Sequence, residues 1–178
     1  MRDVSFDDEN NIHYPVEFIV QQEHRYPLWL EGDDEDGFLK DADSGSVVYA
    51  KTRLELDEIS EREELNVNSG SILEIDVGLV RGLIDSINPI VAVDAGECSV
   101  ILDFFNISQD LARAAKGENE AGEDVVLGDI LVKLFEGCDL PSMKRKAISP
   151  LFNNDEILQI RFCHEKYRQL IVENFSIS

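Results

Sequence analysis

Ile12-His13-Tyr14-Pro15-Val16-Glu17-Phe18-Ile19-Val20-Gln21-Gln22 is the stretch on which the reading of the fold turns. Tyr14, Val16, Phe18 and Val20 fall at every second position, and period two in β-formers predicts a strand. Pro15 has no backbone N–H to donate, which points to an edge or a strand start. Moving outward, Tyr26–Glu31 reads as a second short strand. Asp36-Gly37 is a turn dipeptide, Asp41–Gly45 a second turn cluster, and Ser46–Ala50 a β-rich run. Residues 37–50 therefore predict a hairpin, and 26–50 a meander. Arg53–Ile59 also alternates and reads as an extension of the sheet, with Ser60–Leu65 a helical turn or loop.

Further along, the period changes. Asp76 is placed to cap a helix carrying Leu79, Val80, Leu83, Ile84 and Ile87, ended by Asn88-Pro89. Ile72–Ile75 reads equally as the start of that helix or as a strand before it. Asp94 and Glu97 have the spacing of a capping box for a helix running to about Lys116. Its expected buried side is Cys98, Ile101, Leu102, Phe105, Ile107, Leu111, Ala112 and Ala115. Gly117–Asp124 is polar and reads as an exposed loop. Leu127–Cys138 predicts another helix, with Ile130, Leu131, Leu134 and Phe135 inward. A loop containing Lys144-Arg145-Lys146 and Pro150 follows, its cations read as an internal counter-charge. Asn154 or Asp155 is then expected to cap a last helix to about Phe175, with Ile157, Leu158, Phe162, Leu170 and Ile171 as its apolar stripe and Ile160 and Tyr167 flanking. Strands first and helices after give an α+β class: a small N-terminal antiparallel sheet or meander followed by about four helices packed with it. The whole of 1–178 reads as a single domain, with a soft seam near 66–71 between a β-rich part and a helical part.

The composition narrows the function. An apolar content of 43% is enough for a packed core. The net charge is −21, from 37 acids and 16 bases. Residues 1–140 hold 33 acids against 10 bases, whereas 141–178 hold 4 acids and 6 bases. A chain this acidic repels DNA, RNA and anionic lipid, all of which are bound through Lys and Arg. A basic protein is the partner it suits. Cys98, Cys138 and Cys163 are an odd number at unrelated spacings, which argues against a disulfide framework and for small core residues. The start, Met1–Glu9, has neither a basic segment nor an apolar run, so no secretory signal is expected. No apolar run reaches membrane-spanning length. The expected location is a reducing cytoplasm.

No catalytic motif emerges. Serines and three histidines are present, but no Gly-x-Ser-x-Gly frames a nucleophile. No glycine-rich phosphate loop occurs; Gly78 and Gly82 fall inside a helical pattern. The carboxylates of 33–43 invite a hard cation, yet an EF-hand register starting at Asp41 puts Gly45 at the fifth position, Ser46 at the sixth and Thr52 at the twelfth, and fails at all three. Cys163-His164 and the remaining cysteines and histidines show no zinc spacing. The expectation is no enzyme, no metal and no cofactor.

Binding is what the residues suit. Acidic runs lie at 31–36, 55–64 and 118–124. Rim charges set association rate and specificity, whereas affinity needs buried anchors, Trp, Tyr and Arg foremost. Tyr26 and Trp29, the chain's only tryptophan, stand beside the densest run, Asp33-Asp34-Glu35-Asp36. They are the candidate anchors if Trp29 is exposed. Should Trp29 be buried, the interface is expected at Glu58, Glu61, Glu63 and Glu64, or at Glu118, Glu120, Glu123 and Asp124.

One resemblance bears on this. Ile101-Leu102-Asp103-Phe104-Phe105-Asn106-Ile107-Ser108-Gln109-Asp110-Leu111-Ala112 and Lys133-Leu134-Phe135-Glu136-Gly137-Cys138-Asp139-Leu140-Pro141 resemble a pattern in bacterial immunity proteins of contact-dependent growth inhibition and polymorphic toxin systems. The likeness covers mainly residues 98–141, and the segment 28–37 is similar to sheet-forming domains of that group. It implies a protein that binds one cognate toxin domain, often a basic nuclease, and occludes it. It carries over no binding residues, because such families vary most where they meet the toxin. Two rival readings remain: a DNA mimic that titrates DNA-binding proteins, and a metal-dependent hydrolase using the 33–43 carboxylates. The sequence leaves the oligomeric state open.

Overall fold

The computed structural model describes residues 12–31, 37–68, 70, 72–116, 125–139 and 148–177. The acids at 33–36 and 118–124 and the basic Lys144-Arg145-Lys146 lie outside the described residues. Strand β1 (Ile12–Val20) and strand β2 (Glu23–Glu31) form an antiparallel hairpin in which Tyr14 faces Trp29 and Phe18 faces Arg25. The connecting Gln21 and Gln22 have φ of 52° and 69°. A two-residue hairpin turn of this hand matches the twist of the strands, and it places two glutamines in left-handed conformations that L-residues adopt at a cost.

On the far side of β2, β3 (Gly37–Phe38) and β4 (Tyr49–Ala50) both pair antiparallel with it, through Trp29–Phe38 and Tyr26–Ala50. A Lys40–Val47 bridge joins the two, and the turn between them closes with the Gly45 N–H donating to the Asp41 carbonyl. This is the expected hairpin and meander. Beyond β1 the sheet departs from the antiparallel expectation. β5 (Leu73–Asp76) pairs parallel with β1, Phe18 beside Ile75, so the sheet is mixed. The expected seam begins inside this sheet: His13 exchanges backbone hydrogen bonds with Asn66 and Asn68.

Arg53–Arg62 is helix α1, where a continuation of the sheet was expected. Thr52 caps it by accepting from the Glu55 N–H, and Leu56 and Ile59, three residues apart, turn inward. Leu54 made the stretch look alternating, yet it points to solvent. α1 covers one face of the sheet, over Tyr26, Leu28 and Ala50.

The other face carries Val16, Phe18 and Val20 and packs against the remaining helices: α2 (Val77–Ser86), α3 (Ala95–Lys116), α4 (Val125–Gly137) and α5 (Asn154–Asn174). The fold is α+β, with the sheet covered on both faces. Asp76 ends β5 and caps α2, accepting from the Gly78 and Leu79 N–H groups at 2.9 Å. Asp94 and Glu97 make the anticipated reciprocal cap of α3. Asn153, one residue before the expected positions, caps α5 in a capping box with Glu156.

Two helix faces differ from their sequence patterns. In α5 the buried stripe is Ile157, Ile160, Cys163, His164, Tyr167, Leu170 and Ile171, and Leu158 and Phe162 are exposed. That stripe is centred on the line through Ile160, Cys163, His164, Tyr167 and Ile171, and at about 100° per residue Leu158 and Phe162 fall outside it on the solvent side. In α4 Leu127, Ile130 and Leu134 are buried, whereas Phe135 is largely exposed. Gly137, near the end of α4, is a close-approach point: a Cβ there would lie 2.6 Å from Cys98 Sγ and 2.8 Å from Pro150 Cδ.

Candidate protein-binding surface

The sequence offers Tyr26 and Trp29 as anchors. The structure commits both to its own interior. Trp29 is half-buried, its ring 5.9 Å from Tyr14, and its indole N–H donates to Asp110 Oδ2 on α3 at 3.0 Å. Asp110 also pairs with Arg113. Tyr26 is buried under α1, and its hydroxyl donates to Glu17 Oε1 at 2.8 Å. Neither side chain protrudes as an anchor must. The aromatic-anchor reading is therefore corrected: β2 turns Tyr26 to one face of the sheet and Trp29 to the other, and helices cover both faces.

Tyr26 belongs to a network that sequence reasoning missed. Glu17, buried in the middle of β1, faces His24 Nδ1 at 2.7 Å and accepts from Arg53 Nη2 at 3.2 Å, besides Tyr26. Burial alone would raise the Glu17 carboxyl. The hydrogen bonds from His24, Tyr26 and Arg53 outweigh it and hold the group below its ordinary value. Burial, followed by the hydrogen bond to Glu17 and then that group's charge, pushes the Tyr26 phenol up. Arg53, at the start of α1, thereby pins that helix to the sheet. An isolated Glu in a run of β-formers was the available signal, since a buried carboxylate requires partners.

Pinning α1 by Arg53 determines what its outer side presents. Asp57, Glu58 and Glu61 are exposed and lie three, four and seven residues after exposed Leu54, all on one helix face. Glu58 and Glu61 are thus brought together as the sequence proposes, with Asp57 added by the helical period. Glu64 is exposed just past the helix end at φ 54°, and Glu63 is half-buried and paired with Arg62.

Other groups with chemical potential are turned inward. Cys98, Cys138 and Cys163 are free and buried; burial, aided by Cys138, Asp94 and Glu97, pushes the Cys98 thiol to about 12. Such a thiol is a packing residue at neutral pH. His164 is fully buried against the Phe104 ring, and burial lowers its pKa. Asp41 accepts from the Asp43 and Ser44 N–H groups and so shapes the 41–45 turn. Among the described residues no group of three or more His, Cys, Asp or Glu is arranged to hold a metal ion, and no helix is long and apolar enough to cross a membrane.

No protein-family model matches the chain, and no curated protein matches it. Among solved structures, the crystal structure of the SatS C-terminal domain in complex with bromine is similar. The two share 15% identity over 91% of each chain, with a TM-score of 0.50. That likeness is one of fold.

Proposed function

We propose that this chain is a toxin-neutralising immunity protein that binds a basic cognate toxin domain, a nuclease, and occludes it in the cytoplasm. The observation that carries the reading is the outer face of α1: Asp57, Glu58 and Glu61 directed to solvent on a helix fixed to the sheet, in a chain of net charge −21. Carboxylates on a rigid helix can stand where substrate phosphates would stand, against the toxin's Lys and Arg. The resemblance at 101–112 and 133–141 supports the same role. In this reading the chain does no chemistry of its own. A DNA mimic would need carboxylates spaced like phosphates over a long surface. α1, with ten residues, spans about 15 Å, which suits a local patch better.

The test is inhibition. A small basic domain encoded in the adjoining reading frame is what the reading requires; such a domain is assayed with and without this chain, and its absence from the adjoining frames counts against the proposal. Wild type is expected to abolish its activity at equimolar ratio, and Glu58→Gln/Glu61→Gln to need roughly tenfold or more protein for the same effect. Full activity in the presence of excess wild type would remove the proposal.

A further inference from the structure

Five large apolar side chains are exposed at one end of the helical layer. Ile90 is 87% exposed and Val91 56%, in the loop between α2 and α3; Leu151 is 54% exposed, just ahead of α5; Leu158 is 62% and Phe162 70% exposed on the outer face of α5. Two hydrogen bonds bring these segments together. Arg161 Nη2, next to Phe162, donates to the Asp85 carbonyl at 3.3 Å and ties the last turn of α2 to α5. At the other end of the loop the Val93 N–H donates to the Pro150 carbonyl at 3.0 Å, beside Leu151. The loop from 87 to 93 is thus strung along the first two turns of α5. Its own turn is built: the Ile90 N–H donates to Asn88 Oδ1 at 3.2 Å and the Val91 N–H to the Asn88 carbonyl at 3.4 Å. Ile90 and Val91 are held outward by that turn.

Scattered exposed apolar residues are ordinary, whereas a contiguous group rimmed by polar ones marks an interaction site. Among the described residues the rim is acidic. Asp94 and Glu97 cap α3 immediately after Val93, and Asp155 shares the face of Leu158 and Phe162 at three and seven residues' spacing. Arg161 and Arg81 are occupied by Asp85. Lys166, one turn beyond Phe162, lies over the Tyr167 ring. An anionic lipid surface is repelled by such a rim. An amphipathic helix with an apolar stripe and basic flanks matches it in both respects.

We infer that Ile90, Val91, Leu151, Leu158 and Phe162 form a docking surface for a basic amphipathic helix of a partner protein, its apolar stripe over Phe162 and Leu158 and its Lys and Arg over Asp94, Glu97 and Asp155. This surface lies on the opposite side of the sheet from α1 and stands apart from the acidic face described above.

The probe is a labelled 18-residue peptide of Leu and Lys with its leucines at helical period. The controls are the same composition shuffled to break the stripe and a version with Glu for Lys. Binding to the full chain is read by anisotropy, and the site by backbone hydrogen exchange. The first peptide is expected to bind, to protect 154–162, and to lose at least ~10-fold in affinity for Leu158→Ser/Phe162→Ser and for Ile90→Gln, while Glu58→Gln/Glu61→Gln leaves it unchanged. Ile90 lies in a loop, so its variant keeps the test open if the helix variant unfolds. Equal affinity of wild type and both surface variants, binding lost only in the α1 variant, or no binding by the first peptide would overturn the assignment. So would a wild-type dimer that Phe162→Ser dissociates in sedimentation, since a second copy would then be the occupant.

Discussion

The Trp29 indole donates to Asp110 across 3.0 Å, joining β2 to α3 over 81 positions of sequence. Asp110 is buried and also pairs with Arg113, and the indole N–H is one of the donors that satisfy its carboxylate. Trp29→Phe keeps most of the ring and removes the donor. It is expected to lower the unfolding free energy by roughly 1–3 kcal/mol, measured by far-UV circular dichroism in urea. Stability equal to wild type would show that the bond contributes nothing.

Two glycine substitutions should act in opposite directions. Gly137→Ala forces a methyl against Cys98 Sγ and Pro150 Cδ and is expected to cost about 1–3 kcal/mol. Gly82→Ala, in α2 with open space around its Cβ position, should gain roughly 1 kcal/mol. Thermal melts of the two proteins side by side decide this; a Gly137→Ala protein that melts at or above wild type contradicts the packing described at the α4 terminus.

The Gln21-Gln22 turn is strained by both φ values. Replacing the pair by Asn-Gly keeps the turn and removes the strain, for an expected gain of about 1 kcal/mol in urea unfolding. A loss would mean that the glutamine side chains hold the hairpin in some other way.

Stability should fall with acid in two windows. His164 and His13 have pKa values lowered by burial from 6.5, so the folded state binds fewer protons than the unfolded one. Their contribution is complete above 6.5 and declines as pH falls below it. Glu17, held below its ordinary 4.5, contributes fully above 4.5 and loses that contribution as pH falls through its folded value. His164→Gln should flatten the upper window and Glu17→Gln the lower one, in unfolding curves taken from pH 8 to 3. Unchanged slopes in both variants would refute the assignment.

Much of this architecture is legible locally. β1 shows its period in Tyr14, Val16, Phe18 and Val20, and the Asp76 and Asp94–Glu97 caps are readable because a cap is a contact within four residues. What escaped depends on partners distant in sequence. α1 alternates at Leu54 and Leu56, and the helix is selected by the Thr52 cap and by Leu56 and Ile59 seating on β2. β5 has four residues and exists because β1 is beside it. Leu158 and Phe162 have core chemistry, yet the phase of α5 against α2 and α3 turns them out. At the candidate site, the acids of α1 were visible from composition, whereas the commitment of Trp29 to Asp110 and of Tyr26 to Glu17 rests on tertiary contacts that no local pattern encodes.

The central claim is that a basic toxin domain is captured through the carboxylates of α1. The direct measurement is the association rate of this chain with the cognate basic domain that the proposal requires, by stopped flow from 20 mM to 1 M NaCl, for wild type and Glu58→Gln/Glu61→Gln. The screening length shrinks from about 20 Å to about 3 Å over that range, so the wild-type rate should fall by about tenfold or more, and the variant should start lower and fall less. A wild-type rate indifferent to salt, or a variant with the same salt dependence as wild type, would contradict it.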